Sequence, residues 1–103
     1  MFDIKESDII KVKESLLISR NPLRVKVFPS KEKRKYILLG MISLLFESGK
    51  HYTESEVNDI LIEVYEDFAS VRRYLIEYKF LDRTLNGSDY WLIADQTEFE
   101  IYR

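Results

Sequence analysis

The chain has 103 residues, of which 46% are hydrophobic, 14% aromatic and 33% charged, the balance of one folded domain rather than a disordered tail. There is no cysteine, so disulfides, cysteine-ligated zinc and thiol catalysis are excluded, and a core of this size is expected to fold unaided in a reducing cytoplasm. The formal charge of −2 hides an asymmetry, because residues 1–50 carry 11 Lys/Arg against 6 Asp/Glu while residues 51–103 carry 5 against 12.

The opening MFDIKESDII is acidic where a secretory signal is basic. The longest apolar stretch, YILLGMISLLF, is too short to span a bilayer, so no membrane partner is expected. Ile9, Val12, Leu16 and Leu17 then recur at spacings close to three and four, which predicts an amphipathic helix over residues 6–18. Asn21-Pro22 interrupts it, and LRVKVF alternates Leu23, Val25 and Val27 with Arg24 and Lys26, the period of a short half-buried strand ended by Pro29. Ser30 is placed to cap a helix running to about Ser48, with Gly49 as its stop. From Tyr36 to Phe46 this first central helix is apolar on more than one face, so it needs a second cover. Either the N-terminal segment supplies that cover or another chain does, and the expectation is a homodimer with this helix or the N-terminal helix near a two-fold axis.

Next, YTESEVNDILIEVY contains a capping box, Thr53 with Glu56, ahead of a buried stripe of Val57, Ile60, Leu61 and Val64. Asp67 can cap a third helix whose Phe68, Val71, Leu75 and Tyr78 line one side. LDRTLNGSDYWLI reads as a hairpin around Asn86-Gly87, the pair best able to adopt a type I′ turn. The acidic ADQTEFEIYR is expected to add an edge strand or to stay mobile. A short strand, three helices and a terminal hairpin make an α+β winged helix-turn-helix. It is read as one domain: a helical extension over residues 1–20, a core over 21–93 and an acidic tail over 94–103.

The segments FPSKEKRKYILLGMI, YTESEVNDIL, DFASVRRYLIEYKFLDR and GSDYW, in this order, resemble the bacterial family called domain of unknown function 2087. The resemblance covers residues 23–91, and its most specific parts are the TESEVN stretch and the VRRYL stretch followed by Leu-Asp-Arg. It implies a winged-helix-like fold, found alone or beside regulator-type DNA-binding domains, with a transcriptional role and no established catalytic chemistry. Nothing is implied for the first 20 residues or the acidic tail.

Catalytic signals are weak. His51 is the only histidine, it sits in a predicted turn, and no G-x-S-x-G accompanies it. Gly40, Gly49 and Gly87 are too dispersed for a phosphate loop, so no nucleotide cofactor is expected. Glu54, Glu56, Asp59 and Glu63 could gather a divalent ion, but capping and the helix dipole explain the first-turn acids. No catalytic, cofactor or metal site is assigned.

Binding signals are stronger. Residues 20–35 hold Arg20, Arg24, Lys26, Lys31, Lys33, Arg34 and Lys35 against Glu32 alone, a run that either binds anions or is a solvated face. On the third helix Arg73 points outward, and Arg72 either reaches a phosphate or folds over the core edge onto an acid of the preceding helix. Tyr74, Tyr90 and Trp91 either stack on a base or ligand or belong to the core. The candidate contacts are therefore Arg24, Lys26, Lys31, Lys33, Arg34, Lys35, Arg72 and Arg73, with duplex DNA as the candidate partner. Two readings remain open, a DNA-binding regulator and a winged-helix module that binds protein. Fold favours the first, while the small net charge of the third helix and hairpin favours the second.

Overall fold

The computed structural model describes residues 2–102. The elements in order are α1 (Glu6–Leu16), β1 (Leu17–Arg20), β2 (Leu23–Val25), α2 (Glu32–Ser43), β3 (His51–Tyr52), α3 (Glu54–Ile62), α4 (Phe68–Glu77), β4 (Leu81–Arg83), β5 (Tyr90–Leu92) and a 3-10 helix, Gln96–Tyr102. They form an α+β fold with one two-stranded and one three-stranded antiparallel sheet, and the strand order in the larger sheet is β3-β5-β4.

Ile9, Val12 and Leu16 form the buried stripe of α1, as their spacing predicts. The helix stops earlier than predicted, because Leu17–Arg20 turns into a strand that pairs with Leu23–Val25 across a turn at Asn21-Pro22. Local spacing cannot separate a last helical turn from a β-former run; the partner strand decides it. The strand predicted over LRVKVF is correspondingly short, and beyond Val25 the Lys26 amide makes one more bond across, to Leu16 O (2.7 Å).

Lys31, not Ser30, is the N-cap of α2, and no side chain supplies a cap hydrogen bond there. Phe28 anchors the preceding loop, its ring 5.3 Å from that of Tyr65 and 5.5 Å from that of Tyr74. Nor does α2 reach Ser48. It ends at Ser43, and the chain tightens through Leu45 N–H to Ile42 O (3.0 Å) and Phe46 N–H to Ser43 O (3.1 Å). Gly49, with φ +83°, belongs to the turn into β3 rather than to the helix end.

The largest departure is the acidic tail, which is neither an edge strand nor detached. It winds into the 3-10 helix, with Phe99 and Tyr102 buried against α2. Phe99 packs on Tyr36 and Phe80, with ring centroids 5.8 and 5.2 Å away. Gly40 makes room for it, since a Cβ there would lie 2.5 Å from Phe99 Cδ1. Gln96 Nε2 donates to the carbonyls of Ser43 (3.0 Å), at the end of α2, and Phe46 (2.6 Å), just beyond it. Thus α1, α4 and the 3-10 helix together enclose the all-round apolar helix. The N-terminal segment and the tail supply much of the cover that the sequence called for, while Leu45 stays exposed beside Met41 and Leu44.

Candidate nucleic-acid interface

Two caps orient the α3–α4 pair. Thr53 Oγ1 accepts the Glu56 N–H (3.1 Å) while Glu56 Oε1 accepts the Thr53 N–H (2.8 Å), the predicted capping box. Asp67 accepts both the amide (3.2 Å) and the hydroxyl (2.7 Å) of Ser70 at the start of α4, and these bonds hold its carboxyl below the usual range. Val57, Leu61, Val71 and Leu75 lock the inner faces together. The exposed face of α4 is thereby fixed, with Ala69, Arg73 and Glu77 outward and Tyr74 at its margin.

The neighbouring arginines of α4 take opposite roles. Arg72 folds inward, hydrogen-bonding Asn58 Oδ1 and lying 3.5 Å from Glu54 Oε1, so it ties α4 to α3. Tyr90 joins the same group through its hydroxyl to Glu54 (3.0 Å), which places it with the core and not with a ligand; burial, then this bond, raises its pKa. Arg73 is exposed, its Nε 3.5 Å from Glu77 Oε1 and its guanidinium 5.5 Å from the Tyr74 ring.

The basic segment is not one uniform patch. Arg24 donates to the Glu63 carbonyl at the end of α3 (2.9 Å), a backbone acceptor left open by the helix terminus. Lys33 pairs with Asp8 of α1 at 2.8 Å. Lys35 turns the other way, its Nζ 4.3 Å from the centroid of the Tyr74 ring. Lys26 and Lys31 are exposed, and Arg34 is half-buried. Tyr74 therefore gathers Phe28 on its face and the cations of Lys35 and Arg73 about its ring, and this draws the start of α2 and the outer face of α4 into one basic and aromatic surface. The sequence offers each of these residues separately but no sign of their meeting, because Phe28, Lys35 and Tyr74 lie in three segments joined only by packing.

The hairpin differs in its turn. Strands β4 and β5 pair Arg83 with Tyr90, which leaves a loop of residues 84–89 instead of a two-residue type I′ turn. Asn86 does not take a positive φ, whereas Gly87 does, at +71°. The Thr84 hydroxyl bonds Asn86 Oδ1 (2.8 Å) and accepts the amides of Ser88 (3.1 Å) and Asp89 (3.2 Å), so side chains set the loop. Leu85 stands fully exposed at its tip. His51, placed in a turn by the sequence, instead forms the short β3 opposite Trp91; it stacks on that indole at 5.2 Å and lies 2.6 Å from Asp89 Oδ2. Two residues are too few to show an alternating pattern, so this strand is invisible to periodicity.

Residues 24–92 match the family described as an uncharacterized protein conserved in bacteria, DUF2087. The chain belongs to this family. The DUF2087 segment contains all eight candidate contact residues and the α2–β5 unit, while α1, β1 and the 3-10 helix lie outside it. No curated protein and no solved structure matches the chain. No helix among the described residues is long and apolar enough to cross a membrane.

Proposed function

We propose that this DUF2087 protein is a non-enzymatic winged-helix regulator that binds duplex DNA mainly through backbone phosphates. The order α2-β3-α3-α4-β4-β5, with β3 and β4 flanking β5, supports reading α3–α4 as the helix-turn-helix and the β4–β5 hairpin as the wing. The observation that carries the reading is the convergence of Lys35 and Arg73 on Tyr74, which sets the basic start of α2 beside the outward face of α4. Positive charge at the start of a helix opposes the macrodipole, and an anion there relieves the repulsion while receiving free amide hydrogens. With Arg72 committed to Asn58 and Glu54, the basic segment supplies more of the affinity than α4 does.

The test titrates the full chain against mixed-sequence duplex at low and physiological salt, beside two variants with unchanged circular dichroism. Replacing Lys31, Arg34 and Lys35 together by Gln is expected to weaken binding and flatten the salt dependence by about 0.9 logarithmic units for each phosphate no longer neutralised. Arg73→Gln is expected to change both less. If only Arg73→Gln loses binding, α4 is the principal contact. If the wild-type chain binds no duplex at low salt, the protein-binding reading takes over. That second reading draws on the acidic outer face of α3 and the following turn, where Glu56, Asp59, Glu63 and Glu66 are exposed and repel phosphate.

A further inference from the structure

The three-stranded sheet has two unlike faces. Tyr52, Leu81, Tyr90 and Leu92 are buried on the inner one. Strand alternation turns their neighbours outward, and the register sets His51, Trp91 and Asp82 in one row across β3, β5 and β4. Asp89 and Ile93, two residues to either side of Trp91, share its parity, and the 2.6 Å contact of Asp89 Oδ2 with His51 Nδ1 lies on this outer face. His51, Asp82 and Ile93 are exposed, and Trp91 and Asp89 are half-buried. We propose that the outer face of the β3-β5-β4 sheet docks an arginine-bearing segment of a partner protein, with a guanidinium stacked on Trp91 and paired with Asp82 and Asp89.

Charge and shape together select this occupant. The row and its flanks hold two carboxylates and neither lysine nor arginine. The nearest cations in sequence are engaged elsewhere: Arg83 donates to the carbonyls of Thr84 (3.3 Å) and Leu85 (3.4 Å), while Lys50 lies 3.8 Å from Glu47 Oε2 and 5.0 Å from the centroid of the Tyr52 ring. Asp82 accepts the Arg83 amide (2.8 Å) and has no cationic partner among the described residues. His51 takes one oxygen of Asp89 and leaves that side chain 38% exposed. Such a face repels phosphate and attracts a cation. The indole adds a separate preference, because a cation over its ring is drawn to the π face. Guanidinium meets both demands at once, since its plane stacks on an aromatic ring while its fork reaches a carboxylate, whereas an ammonium is a point charge. The cross-strand pairing puts the Cβ atoms of Asp82 and Trp91 about 5 Å apart, within reach of one stacked guanidinium. Exposed Ile93 extends the face with an apolar contact, which suits a chain segment laid along the sheet better than a lone small cation. The surface is independent of the DNA reading, because it uses none of the residues about Tyr74.

Trp91 is the only tryptophan, so its emission reports on this face directly. The experiment titrates the full chain at low salt with a peptide of alternating arginine and glycine, beside its lysine and citrulline counterparts. A saturable change in emission is expected with the arginine peptide, about threefold tighter than with the lysine peptide, and none with citrulline, which keeps the shape without the charge. The double variant Asp82→Asn, Asp89→Asn is expected to weaken the arginine peptide about fivefold with unchanged circular dichroism. Asp82→Asn alone keeps an acceptor for the Arg83 amide and is expected to weaken it about twofold. Replacing Glu56 and Asp59 of α3 by their amides should leave the response unchanged, as should the Lys31, Arg34 and Lys35 variant that tests the DNA reading. Absence of a saturable response, equal binding of the lysine or citrulline peptide, a response untouched by the Asp82 and Asp89 variants, or one lost in the α3 variant instead would each overturn the proposal. So would sedimentation showing this face closed by a second copy of the chain in place of peptide binding.

Discussion

Along α2 the first four residues, Glu32 to Lys35, lie at the surface or its margin, whereas Ile37 to Ser43 are buried on every side. One helix thus carries two commitments. Its charged half meets neighbours through single contacts, Lys33 on Asp8 and Lys35 over Tyr74, each partly open to water. Its apolar half meets α1, α4 and the 3-10 helix through close packing, to the point that position 40 admits no side chain. Energy of folding resides in the second half, because buried apolar area stabilises by about 25 cal/mol per Å² whereas exposed ion pairs contribute about 0–1 kcal/mol. The charged half is correspondingly open to substitution, since exposed side chains tolerate change with little loss of stability.

The sharpest way to break this contrast is to remove the cover from the apolar half. Phe99→Ala is expected to cost about 3–5 kcal/mol in urea unfolding, the usual range for a buried aromatic ring, and to expose the flank of α2. A loss below about 1 kcal/mol would mean that residues 96–102 do not hold α2 in solution. Gly40→Ala overpacks the same contact from the other side, with an expected cost of about 1–3 kcal/mol. Most of that cost should vanish in the Phe99→Ala background, so a double-mutant cycle reads the coupling directly, and additivity would separate the two residues.

A smaller effect is expected where the two commitments give way to hydrogen bonding at the end of the helix. Gln96→Ala leaves the carbonyls of Ser43 and Phe46 without their side-chain donor, which should cost about 1–2 kcal/mol by the same unfolding assay.

The charged half gives the smallest change, and it appears in pH rather than in the melt. Asp8 is held below its ordinary carboxyl pKa, first by the Lys33 ammonium and then by the Lys5 amide. A carboxyl lowered in this way stabilises the fold fully above the unfolded pKa of about 3.9, and the contribution is lost as pH falls through the lower folded value. In Lys33→Gln, NMR titration of the Asp8 carboxyl should show its pKa moving up toward the unfolded value. An unmoved titration would assign the shift to the Lys5 amide alone.

The caps of α3 and α4 and the apolar stripes were legible residue by residue, whereas the Ser30 cap expected for α2 did not form. Thr53, Glu56 and Asp67 cap where their spacing to the next apolar run says they should, because a capping bond closes within three residues and needs no distant partner. Arg72 was legible only as a choice between core edge and ligand, and the structure lays its side chain against Asn58 and Glu54 of α3. The cluster about Tyr74 was not legible, since its residues come from the loop before α2, from α2 and from α4. The hairpin shows an intermediate case: Asn86-Gly87 marks the turn correctly, but the Thr84 side chain lengthens it.

By itself the sequence determined the α-helical periods of α1, α3 and α4, the capped starts of α3 and α4, the presence of a terminal hairpin and the basic character of residues 20–35, all of which depend on neighbours within about one helical turn or one strand. Tertiary structure decided that Leu17–Arg20 is a strand, that His51–Tyr52 pairs with β5, and that an acidic tail folds back as the cover of α2. The last two are pairings between segments far apart in the chain, and the first depends on a partner strand just across a turn. Their free energy comes from area removed from water and hydrogen bonds closed across the fold, quantities that exist only once both partners are in place.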